Sequence, residues 1–140
     1  MRARPDVRLR HASLDDAAFA HDCLSELRDG VRVSREAFEV YLRAVVVQPQ
    51  VSILIAESGR RRVGLVTLNR FVMPRYVGYG YEIEEFVVAP AHRRCGIGRQ
   101  MLTLLIEMCG RDPQARKLVV KSNTIGATLY ATMMLSLIHI

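Results

Sequence analysis

Apolar and basic residues alternate in "VRLRHA", residues 7–12, as a half-buried strand requires, and the period then changes. Leu14, Ala17, Ala18, His21, Cys23, Leu24 and Leu27 recur at roughly helical spacing until Asp29-Gly30, and Ser13 with Asp16 three residues on has the form of a capping box. Ser34 is placed to cap a second helix carrying Phe38, Tyr41, Leu42 and Val45, which must end near Pro49. Strand texture follows: "VSILIAE", a turn at Ser58-Gly59, "RVGLVTLNRFV", a loop near Pro74, and "YGYEIEEFVV" ending at Pro90. These predict an antiparallel meander. In "AHRRCGIGRQMLTLLIEMC", residues 91–109, Ile97, Met101, Leu104, Leu105 and Met108 give a third helix its apolar face. "RKLVVKS" predicts a fifth strand and "TIGATLYATMM" the beginning of a fourth helix. The order βααβββαβα, uninterrupted by repeat, low-complexity segment or linker, predicts one mixed α/β domain.

Composition supports that reading. Half of the 140 residues are apolar, enough for one compact domain with a core. Twenty Lys+Arg against 14 Asp+Glu give a net charge of +6, which favours an anionic partner such as a phosphorylated cofactor, nucleic acid or an acidic surface without choosing among them. Cys23, Cys95 and Cys109 are odd in number and far apart, suggesting neither a zinc knuckle nor a disulfide framework. His11, His21 and His92 have no metal-ligand spacing, so no metal is expected. No signal peptide and no apolar run of ~18 residues is visible, and a cytoplasmic protein with no membrane partner is the expectation.

The chemistry concentrates where Arg93-x-x-Gly96-x-Gly98 joins a predicted buried strand to the first turn of a helix. The first backbone N–H groups of a helix have no internal partners, and the macrodipole adds about half a positive charge there, so such a turn can cradle a pyrophosphate. Glycine at 96 and 98 is expected to let the anion approach the backbone, and Arg93, Arg94 and Arg99 to add charge around the rim. A glycine pair before a helix also serves as a plain tight loop. A dinucleotide-binding turn would need a third glycine where Met101 stands, and a Walker-type loop would need G-K-[ST].

"EEFVVAPAHRRCGIGRQMLTLLIE" resembles the signature segment of the GNAT superfamily of acyl-CoA N-acyltransferases, a strand followed by R/Q-x-x-G-x-G/A opening a helix. The order of elements is similar to that fold from Val7 to Met134, and "GYEIEEFVV" with the two N-terminal helices resembles the aminoalkylphosphonate N-acetyltransferase branch. The resemblance implies a central mixed sheet and an acetyl-CoA-dependent N-acetyltransferase that moves an acetyl group to a primary amine of a small molecule by direct attack in a ternary complex. It implies that the backbone of Phe86, Val87 and Val88 holds the pantetheine arm and that the turn of Arg93, Arg94, Cys95, Gly96, Ile97, Gly98 and Arg99 wraps the pyrophosphate. Asn123 would contact the cofactor, and Tyr130 would protonate the departing sulfur. The resemblance favours Glu82 as general base, with Glu85 second.

Strict alternation would place Glu82 and Glu84 on one face and Glu85 on the other unless a bulge changes the parity. Carboxylates on a solvated strand face, paired with arginines, are the alternative. A covalent mechanism at Cys95 is disfavoured by the lack of a histidine partner beyond the neighbouring His92.

The end of the chain departs from the family. "LSLIHI", Leu135 to Ile140, resembles a frame of the transposase mosaic-end adapter used in sequencing libraries, so residues 1–134 are expected to be a truncated acetyltransferase domain lacking its last two strands, and 135–140 a non-native tail. A short apolar strand is the other reading. Two further functions stay open: a catalytically impaired CoA-binding fragment, and a basic nucleic-acid-binding module built on Arg60, Arg61 and Arg62. No aromatics flank that triplet, which argues against nucleic acid. A homodimer is compatible with the sequence.

Overall fold

A computed structural model describes residues 6–27 and 30–120. Its elements run β1 (Val7–His11), α1 (Ala17–Ser25), α2 (Arg35–Val45), β2 (Val51–Ser58), β3 (Arg61–Met73), β4 (Gly78–Val88), α3 (Ile97–Gly110) and β5 (Ala115–Val120). The strands form one sheet in the order β1-β2-β3-β4-β5. β1 through β4 pair antiparallel, and β5 joins β4 in parallel after the α3 crossover. The expected order therefore holds through the fifth strand, and the expected fourth helix lies outside the described residues.

Both faces of the sheet are covered. Ile53, Ile55, Leu65 and Val87 pack with Ala20, Cys23, Phe38 and Leu42 under α1 and α2. Leu54, Val66, Leu68, Ile83 and Phe86 pack with Met101, Leu102 and Leu105 under α3. Successive residues of β2 thus enter opposite cores, which is why "SILIA" reads as an apolar run rather than an alternation. Each fully buried leucine in these layers stabilises the fold by about 2 kcal/mol relative to an exposed one.

Two boundaries differ from the periodicity. The segment Leu14–Asp16 is a 3-10 turn before α1, leaving Leu14 and Leu27 on the rim instead of in the core. The buried stripe of α3 is Ile97, Met101, Leu102, Leu105 and Cys109, while Leu104 and Met108 are only partly covered. The buried face of the third helix thus includes Leu102 and Cys109, which the spacing had not assigned to it.

Asp16 does more than cap. It accepts the Ser13 N–H at 2.8 Å, two bonds from the Arg10 guanidinium at 2.7 and 2.8 Å, and one from Arg62 Nε at 2.8 Å, with no exposed surface of its own. Arg10 also donates to Glu57 at 2.6 Å. Arg62 is thereby drawn out of the Arg60–Arg62 triplet, which breaks the continuous basic patch that a nucleic-acid surface would have used. At the far end of the sheet, the Tyr81 hydroxyl donates to Asp112 at 2.7 Å, tying the turn after α3 to β4.

Candidate active site at the end of β4

β4 carries the site because its ladder is interrupted. Thr67 pairs with Glu85 and Leu68 with Ile83, so two residues of β4, Glu84 and Glu85, oppose one of β3. This is a β-bulge. The Thr67 hydroxyl accepts the Glu85 N–H at 3.0 Å and satisfies an amide that the bulge displaces from the regular ladder. Thr67 escaped the sequence reading, although a hydroxyl inside the apolar run "VGLVTL" was a signal.

The bulge decides where the carboxylates point. Ile83 and Phe86, three residues apart, both enter the core under α3, which strict alternation would forbid. Glu84 accepts from the Asn69 side chain at 3.2 Å, and Asn69 pairs with Glu82 across the ladder. Glu82, Glu84 and Glu85 therefore share the face opposite α3. Of these, Glu85 lines a cleft of about 440 Å³ together with Leu24, Leu27, Val33, Phe38 and Tyr41 from α1, α2 and their connection. Glu82 lies farther back, where β4 still pairs with Val119 of β5.

The β4–β5 ladder is described as far as Ile83 opposite Val120, while β4 runs on to Val88. Ala89 N–H donates to Val63 on the β3 side at 2.8 Å, so alternation turns the amides of Phe86 and Val88 toward the other edge and that of Val87 toward β3. On that outer edge the Val88 carbonyl accepts Arg93 Nε at 3.0 Å. Arg93 also pairs with Glu26, the residue that follows α1, at 2.5 Å. Arg93 thus bridges the end of β4 and the residue that follows α1; Arg94 and Arg99 lie on the turn itself.

The turn after Pro90 contains two left-handed residues, Arg94 at φ +65° and Gly96 at φ +79°. Gly96 is the N-cap of α3, and the first helical bond runs from Gln100 N–H to its carbonyl. The amides of Ile97, Gly98 and Arg99 therefore have no acceptor within the helix. The glycines differ in role. A Cβ at Gly98 would meet Val88 at 3.5 Å and Phe86 at 3.8 Å, ordinary contact, so an alanine fits there. Gly96 has open space around it but a dihedral that other residues avoid. Gly96→Ala is expected to destabilise the domain by about 1 kcal/mol through left-handed strain, with Gly98→Ala near neutral, both checked by denaturant unfolding.

Burial pushes the Cys23 thiol up to about 11 and the Cys109 thiol up to about 12, which leaves both unreactive. Cys95 is exposed in the turn, its Sγ 3.5 Å from the Arg93 carbonyl. Of the residues expected at the site, Asn123 and Tyr130 lie outside the described residues, as does the segment 135–140. Among the described residues no group of three or more His, Cys, Asp or Glu could hold a metal ion, and no helix is long and apolar enough to cross a membrane.

Residues 16–133 match the acetyltransferase (GNAT) family. No curated protein sequence gives a significant match. Among solved structures, an acetyltransferase of Trypanosoma brucei superposes with a TM-score of 0.72 at 20% identity, covering 91% of each chain. Glucosamine-6-phosphate N-acetyltransferase of Arabidopsis thaliana gives 0.72 at 16% identity, over 91% of this chain and 89% of that one. Arabidopsis thaliana NAA60, solved with a bisubstrate analogue, gives 0.68 at 16% identity, over 91% and 82%. At these identities the superpositions speak for the fold.

Proposed function

The chain belongs to the acetyltransferase (GNAT) family, and on that premise we propose that it transfers an acetyl group from acetyl-CoA to a primary amine within a ternary complex. One observation carries this reading: the bulge at Glu84–Glu85 directs a carboxylate into the α1–α2 cleft, and the next residues of the same strand turn amides toward the edge leading to the N-terminus of α3.

The residues present fit the cofactor. Left-handed Gly96 opens α3 with three amides that have no acceptor within the helix, and Gly98 carries no side chain between them and the end of β4. Arg94, Cys95, Gly96, Ile97, Gly98 and Arg99 would hold the pyrophosphate, and the outer edge at Phe86 and Val88 the pantetheine arm. When bound, acetyl-CoA supplies an acyl group activated as a thioester.

The chain's own groups do the proton work. An alkylammonium has a pKa near ~10.4, so it must lose a proton before its nitrogen can attack. Glu85, facing the acceptor cleft, takes that proton. The Val88 N–H would polarise the thioester carbonyl of bound acetyl-CoA, a contribution worth a few kcal/mol. Tyr130, carried over from the family resemblance, returns a proton to the leaving sulfur.

Cofactor binding has a readout independent of turnover. Of the three cysteines, Cys95 alone should react rapidly with an alkylating reagent in the native protein, with Cys23 and Cys109 reacting only after unfolding. CoA should slow Cys95 labelling, and dephosphorylated pantetheine, which lacks the pyrophosphate, should not. Labelling that ignores CoA would remove the turn from the cofactor site.

A further inference from the structure

We propose that the Glu26–Arg93 ion pair is a latch on the end of α1 that a phosphate group at the α3 turn releases, so that the cofactor binds first and its arrival loosens the rim of the cleft beside Glu85. The inference rests on the cofactor site proposed above and adds to it a partner on a distant element. Arg93 opens the segment Arg93-x-x-Gly96-x-Gly98, three positions before the N-cap of α3. Its Nε donates to the Val88 carbonyl at 3.0 Å and its Nη2 to Glu26 at 2.5 Å. One guanidinium on the cofactor turn thus holds both the end of β4 and the residue that ends α1.

Glu26 stands at the wrong end of a helix for a carboxylate. It is the C-cap of α1, where the macrodipole is negative, and α1 has no basic residue in its last turn. The offsetting charge comes from Arg93, 67 residues away. With nine residues, α1 depends on such tertiary contacts more than on helix propensity. Asp22, one turn earlier, repeats the arrangement with Arg35 of α2 at 3.6 Å. Leu24 and Leu27 lie on either side of Glu26 in the chain and line the cleft with Glu85, so fraying of this end acts at the cleft.

The pair is open to exchange. The Arg93 side chain is 44% exposed and that of Glu26 37%, and an ion pair so accessible to water is weak. A pyrophosphate carries more negative charge than a carboxylate, and its oxygens can accept two parallel guanidinium bonds where Glu26 takes one from Nη2. Glu26 and the anion therefore compete for one cation. By linkage, what Glu26 gains from Arg93 is subtracted from cofactor affinity, and cofactor binding weakens the end of α1 by the same factor.

The test uses the whole chain and two measurements that need no turnover. CoA affinity is measured by calorimetry, and backbone hydrogen exchange over residues 23–27 by mass spectrometry with and without CoA. Glu26→Gln leaves Arg93 to the cofactor and should tighten CoA binding about threefold, the scale of a half-exposed ion pair. In an Arg93→Gln background the same substitution should change nothing, which separates loss of the pair from loss of a negative charge. Asp22→Asn removes an equal charge from the same helix and should leave CoA affinity at the parent value. In the parent, CoA should speed exchange at the end of α1 about threefold, and in Glu26→Gln it should not. The sign is diagnostic, because a ligand that merely stabilises the fold slows exchange.

Equal CoA affinity in the parent and Glu26→Gln overturns the latch, as does a gain that persists in the Arg93→Gln background or is matched by Asp22→Asn. Exchange at the end of α1 that CoA slows or leaves unchanged in the parent overturns it too. Each of these outcomes leaves the cofactor site standing. If CoA binds none of these proteins, the cofactor reading falls and the latch falls with it.

Discussion

Glu85→Gln is expected to lower kcat/KM for amine acetylation by about a thousandfold, within the range that loss of a positioned general base costs. The amide is the same size and keeps the Glu85 N–H bond to Thr67, so the bulge and the fold should persist. What disappears is the proton acceptor in the cleft. The acidic limb of the pH–rate profile should flatten with it, whereas a merely structural defect would lower the curve without changing its shape. Glu82→Gln is the control, because Glu82 lies behind the bulge, where β4 pairs on both sides. If the loss follows Glu82 and spares Glu85, the base is Glu82 and the cleft carboxylate only positions the amine.

Asp16→Ala should cost about 3 kcal/mol of stability, the lower end for breaking a buried ion pair from one side. The carboxylate has no exposed surface, but Arg10 and Arg62 are 36% and 40% exposed, and water recovers part of their solvation once the partner is gone. For a chain of this length, that loss corresponds to a fall in Tm of roughly 10 °C. Calorimetry on both proteins checks it.

The pH dependence follows from the direction of the shift. The two bonds from Arg10 hold the Asp16 carboxyl well below the usual carboxylate range, with the Ser13 amide and Arg62 adding to the effect. Asp16 thus binds its proton less readily folded than unfolded. Its contribution is fully present above the unfolded value of about 3.9 and is lost as pH falls through the depressed folded one. The stability gap between the parent and Asp16→Asn should be constant at neutral pH and close only in strong acid. A gap that closed near pH 6 would place the controlling titration elsewhere.

The site shows unevenly how much a sequence carries. Gly96 announced the turn because a left-handed N-cap after a strand is a local requirement that glycine meets without strain. Ser34 announced α2 in the same way, its hydroxyl accepting the Ala37 N–H at 3.1 Å. Arg93 was legible as part of the turn, but its bond to Glu26 joins residues 67 apart. Asp16 was legible as a cap, but its bond to Arg62 joins residues 46 apart. No spacing rule reaches across such distances.

The cleft beside Glu85 was invisible for a related reason. Leu24, Phe38 and Tyr41 read as ordinary core periodicity, and whether an apolar residue faces a core or a cleft depends on the neighbour that covers it. The parity of the three glutamates was open for want of one fact, the bulge, which exists only in the pairing of β3 with β4.

By itself the sequence determined the order of elements through the fifth strand and the glycine turn that opens α3. These follow from hydrophobic period and from backbone preferences that act within a few residues. Only the tertiary structure decided which carboxylate enters the cleft, which arginines are held within the fold, and which side chains line the cleft. Those depend on register and on contacts between distant segments, which the chain acquires when it closes on itself.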